Sequence, residues 1–267
     1  MMTGHQHAAS LPQVFLLGLV AAALWVYLAA VRRARQRGRP WPRTRSLLWA
    51  GGLAAVAPAL VGPIADGSHL DFRAHMLGHL LLGMLGPLLL VLAAPVTLAL
   101  RALPAHSARR LSANLRRPVV AALTHPAVAA VLNVGGLWVL YRTGLYAAST
   151  GSPVLHVAVH LHVFLAGCLL VVAVAGPDPA PHRPGLPVRA AVLVLAVAAH
   201  NILAKTIYAF PPAGVDPAQA AAAAQLMYYG AVPVELVMMI VLCREWTRQH
   251  DRRRTGGGRP AVPTGRP

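Results

Sequence analysis

The 267-residue chain holds 13 histidines, and their spacing is the first sign of chemistry. His75 and His79 are four residues apart, which on a helix puts both imidazoles on one face, a turn apart. His156 and His160 repeat that spacing, while His162 points roughly to the other side. His200 is followed by Asn201, Lys205 and Tyr208, which share a helix face about a quarter turn away from it. Tyr228, Glu235 and Met239 share another face, with Met238 beside them. All these residues lie in or beside apolar runs, where a polar group is costly and is a functional candidate by default.

Imidazole binds both common copper states, and thioether sulfur favours Cu(I). An i, i+4 histidine pair can give one ion two ligands from one helix. The candidate copper ligands are therefore His75, His79, His156, His160, His200, Met238 and Met239. His162, Asn201, Lys205, Tyr208, Tyr228 and Glu235 complete the intramembrane polar set. His5 and His7, near the N-terminus, are candidates for first capture of metal. Other readings stay open. The histidines can bond neighbouring carbonyls, Lys205 and Glu235 can form a helix-to-helix ion pair, and methionines often serve as packing. Histidines on two spans can also ligate a haem, and Glu235 with Lys205 can serve as relay groups of a proton-coupled transporter.

The elements that must position these residues follow from composition. The chain is 57% hydrophobic and only 12% charged, about half the charge of a soluble domain, so long stretches avoid water. Membrane-length runs are Gln13–Val31, Ser46–Ile64, Ala74–Leu100, Val119–Leu140, Val154–Ala175, Val188–Tyr208 and Ala222–Cys243. The fold expected is all-α: a polytopic bundle of seven transmembrane helices over residues 13–246. A polar outer segment, 1–12, precedes it, and a disordered basic cytoplasmic tail, 247–267, follows. Pro95 predicts a kink or break in the third run, with its tail along the inner surface. Gly78, Gly83 and Gly86 predict close helix contacts in the same run.

Charge sets the orientation. Of 24 basic residues, all but Arg73, Arg142 and Lys205 fall on one side of these runs. That side is read as cytoplasmic, with the N-terminus outside, the C-terminus inside and anionic lipid as counter-charge rather than nucleic acid. Cys168 and Cys243 form no paired motif, which excludes a disulfide framework or zinc ribbon.

The run His75-Met76-Leu77-Gly78-His79, followed by Gly86-Pro87-Leu88-Leu89 and Ala94-Pro95, resembles the CtaG family of cytochrome c oxidase assembly factors. This is the polytopic type associated with caa-type oxidases. His156 to His162, His200-Asn201, Gln225 to Gly230, Pro233-Val234-Glu235 and Arg244-Glu245-Trp246 fit the same pattern. The resemblance implies a multi-pass factor of the bacterial inner membrane that partners oxidase subunits. It implies help in moving copper to the catalytic subunit, and no catalytic turnover.

Overall fold

In lipid a backbone finds no water for its polar groups, so apolar runs must close their hydrogen bonds internally as helices. The computed structural model describes residues 11–68 and 71–256, and every regular element among them is helical. In chain order these are α1 (Leu11–Gln36), α2 (Arg43–Leu60), α3 (Pro63–Gly67), α4 (Phe72–Leu80), α5 (Gly86–Leu92), α6 (Pro95–Ala102) and α7 (Ala105–Leu115). Then follow α8 (Pro118–Leu123), α9 (Pro126–Ala130), α10 (Gly136–Arg142), α11 (Leu145–Gly151), α12 (Pro153–Ala175), α13 (Leu186–Ala209) and α14 (Pro217–Gly256). Two π-helical turns, Leu81–Leu85 and Val131–Gly135, join α4 to α5 and α9 to α10.

Among the described residues five helices are long and apolar enough to cross a membrane. They become six if Pro126–Arg142 and Leu145–Gly151, bent by 78°, form one span. The chain is thus a multi-pass membrane protein. The second expected run is not among the five: α2 has 18 residues, with Arg43 and Arg45 in its first turn and Pro58 inside it. The fourth run also differs. Helix α8 ends before Thr124, and a new helix starts at Pro126, because proline suits a first helical turn and cannot continue the preceding one. At the other end, α14 runs to Gly256, so part of the stretch read as a tail is helical. Residues 1–10 and 257–267, and with them His5 and His7, lie outside the described residues.

The third run is broken twice, each time at a proline. Pro87 has no N–H to offer the Gly83 carbonyl four residues earlier, and Gly86 N–H instead reaches Leu81, five residues back. Before Pro95, Ala94 takes a left-handed conformation (φ 55°), which ends α5 and starts α6. The backbone N–H groups of Val96 and Thr97, exposed by that break, donate to the Asp178 carboxylate at 3.1 and 2.7 Å, and the Thr97 hydroxyl adds a third bond at 2.6 Å.

Glycines let the spans meet backbone to backbone. A Cβ at Gly167 of α12 would stand 2.2 Å from the Gly83 carbonyl oxygen. One at Gly86 would meet Val56 of α2 at 2.5 Å, and one at Gly83 would meet Val163 at 2.7 Å. Gly78 differs, with its nearest neighbour, Ala59, at 4.0 Å. At the arginine-rich end, Arg189 is buried in the first turn of α13. Its guanidinium forks onto the Glu245 carboxylate of α14 and donates to the Val174 carbonyl of α12 at 3.0 Å, tying three spans together.

Candidate functional site

Helix α4 carries the first histidine pair, and its start is well anchored. The Asp71 carboxylate accepts from Arg73 N–H at 2.8 Å and pairs with the Arg73 guanidinium at 2.9 Å. Those contacts hold its carboxyl below the usual carboxylate range. Phe72 N–H donates to the Gln219 side chain of α14 at 3.2 Å. Nearby, Leu80 fills the space over Gly230, where a Cβ would stand 2.5 Å from it. The α4 face bearing both histidines therefore turns inward, and His75 and His79 are buried.

His75 sits in an aromatic box. Its Nε2 shares a 3.1 Å hydrogen bond with the Tyr141 hydroxyl of α10. Phe72 stacks on the ring at 5.7 Å, and Tyr146 of α11 meets it edge-on at 4.9 Å. From α12, His160 brings its ring to 6.1 Å from His75. The His160 Nδ1–H donates to the His156 carbonyl at 2.9 Å, which puts the ring's lone pair on Nε2. The His156 ring lies 4.1 Å from that of His160. Deeper in the bundle, His79 stacks against His200 of α13 at 6.2 Å. The His200 Nδ1 stands 3.6 Å from Glu235 of α14, just beyond hydrogen-bond length. The groups thus form a file: His156, His160, His75, His79, His200, Glu235.

Two features of this file bear on ligands. Both ring nitrogens of His79 and of His200 are buried without a hydrogen-bond partner. Leaving such a group unbonded costs about 1–3 kcal/mol. Beside His79, on the side away from His200, a cavity of about 10 Å³ is lined by His75, His79, Tyr141, His160, Leu82 and Val163. That is room for one ion or one water. Among the described residues no group of three or more His, Cys, Asp or Glu side chains is placed to hold a metal ion.

The family model described as cytochrome c oxidase caa3 assembly factor matches residues 25–249. The chain belongs to that family. No curated protein and no solved structure matches it. The stretch shared with the caa3 assembly factors takes in every residue of the file, from His75 to Glu235.

Not all of the expected ligands of this caa3-family chain come together. Met238 and Met239 pack into an apolar cluster with Leu88, Val91, Val174 and Leu193. Met76 and Met227 are both fully buried, in the cluster that includes Phe72, Tyr141 and Tyr146. His162 turns outward, and its Nε2–H donates to the Leu132 carbonyl of the second π turn at 3.0 Å. Glu235 faces His200, at 3.6 Å, rather than Lys205, whose ammonium lies 5.5 Å from the Tyr228 ring. Asn201 is half-buried with its carbonyl oxygen unbonded, and Tyr208 is exposed. Sequence reasoning missed Tyr141. The available signal was an aromatic pair, Tyr141 and Tyr146, at the arginine-poor end of the fourth run, the end where the histidine pairs lie.

Proposed function

We propose that this family member helps build a haem–copper cytochrome c oxidase by holding copper for transfer to the catalytic subunit. The orphaned nitrogens of buried His79 and His200 carry this reading, because a buried imidazole pair without protein hydrogen-bond partners is a site with donors left for a ligand. His79 and His200 are the inner ligands, and His75, His156 and His160 are the path by which the ion enters and leaves. Glu235 orients His200, as a carboxylate behind a ligating histidine commonly does. Cu(I) suits two imidazoles, and a site of only two ligands suits a donor that must release its ion. The cavity of about 10 Å³ favours one ion over a porphyrin.

The protein acts without catalytic turnover, as a copper chaperone of the respiratory chain. Its oxidase partner meets it at the histidine end. This reading counts seven spans, α2 among them, and takes the N-terminus as outside and the arginine-rich face and C-terminus as cytoplasmic in a bacterial cell, against anionic lipid, as the arginine bias supports. The test is complementation. In a host lacking this chain, wild type should restore oxidase activity and the copper content of the purified oxidase. His79→Ala with His200→Ala, present at normal level in the membrane, should restore neither. Full restoration by the double variant refutes the reading.

A further inference from the structure

Lys205 is the single lysine of the chain. It lies on the outward face of α13, four residues before the helix ends at Ala209, about 6 Å along the axis. No carboxylate of the described residues pairs with it, and its ammonium sits over the Tyr228 ring. Tyr229 meets Tyr228 edge-on at 5.1 Å and braces it. Around the ammonium is an open groove of about 230 Å³ between α13 and α14, lined also by Gln225, Tyr208 and Tyr229. The lining offers one cation, one amide and three phenols, but no acid. Tyrosine at this depth is typical of the headgroup layer, and a cation facing lipid needs an anion there.

We propose that this groove binds the headgroup phosphate of an anionic phospholipid, with Lys205 as its counter-charge and the Gln225 amide and tyrosine hydroxyls as donors. The groove is at the arginine-poor end, separate from the basic α7 face carrying Arg109 and Arg116. It is also separate from the histidine file, so it stands whether or not copper binds. A bound lipid would brace α13 against α14 at the end where Phe210 and Tyr229 are exposed.

Native mass spectrometry of the detergent-purified chain, titrated with dioleoyl phosphatidylglycerol, tests the proposal. Lys205→Met should weaken the tightest retained lipid about fivefold, the equivalent of one basic side chain near a headgroup. Lys205→Arg should retain it, and Tyr228→Leu should weaken it without changing charge. Arg109→Gln with Arg116→Gln should remove other lipid equivalents and leave the Lys205-dependent one. Equal retention by wild type and Lys205→Met, or equal retention of phosphatidylcholine, overturns the proposal. Displacement of the lipid by millimolar inorganic phosphate also overturns it, in favour of a free-anion site.

Discussion

Gly167→Ala is the sharpest test of the packing that holds the histidines in file. The new Cβ would stand 2.2 Å from the Gly83 carbonyl oxygen and 3.0 Å from Pro87. A carbon and a carbonyl oxygen in ordinary contact are about 3.3 Å apart, so the two backbones must separate by roughly 1 Å. Neither neighbour is a flexible side chain that can turn away, so the cost belongs near the top of the ~1–3 kcal/mol range for overpacking. For a chain of this size that lowers the thermal midpoint in detergent by roughly 5–10 °C. Gly83 lies one turn from His79, and Gly167 two turns from His160, so the same movement pulls α12 from the third run at the cavity. Metal sites tolerate ligand shifts of about 0.2 Å, so Cu(I) affinity should fall at least ~10-fold. Gly78→Ala is the control: its nearest neighbour is 4.0 Å away, and midpoint and affinity should hold or rise slightly. Thermal scanning and competitive Cu(I) titration read both effects. A Gly167→Ala protein as stable and as tight-binding as wild type would refute the close approach.

Three further outcomes follow from the same geometry. Glu245→Gln leaves buried Arg189 without its counter-charge and should cost about 3 kcal/mol, with a smaller loss when Arg189→Met is added, measured as a double-mutant cycle in detergent. Asp178→Ala removes the acceptor for the first turn of α6 and should cost ~1–2 kcal/mol, with faster amide exchange confined to about residues 96–100. Asp71 has its folded carboxyl pKa lowered, so its contribution is complete above the ordinary value of about 4 and is lost as pH falls through the lower folded one. Exchange at the start of α4 should therefore rise below about pH 4 in wild type, and show no such step in Asp71→Asn.

What could be read in advance was whatever depends on local period. Helix covers each of the seven apolar runs, and at five of them it is long and apolar enough to span, because hydropathy and helix length are local properties. The i, i+4 spacing of His75 and His79 places them on one face, and it cannot say what that face meets. The choice of Glu235 rather than Tyr228 or Met239 as the neighbour of His200 depends on how far α14 slides along α13. The register of α14 is set by long-range contacts such as that of Leu80, on α4, over Gly230. The methionines show the same limit. Met238 and Met239 lie one turn beyond Glu235, in the apolar half of the bundle, while Met76 and Met227 reach the aromatic box. Gly167 and Asp178 carry no local signal, since their partners, Gly83 and Thr97, are more than 80 residues away in sequence.

The copper reading is tested most directly by metal content and visible spectrum of the purified chain, wild type against His79→Ala with His200→Ala, after loading under reducing conditions. The account predicts copper near one per chain in wild type, its loss in the double variant, and no Soret band in either. Copper retained by the double variant, a wild type that takes up none, or a Soret band would contradict it.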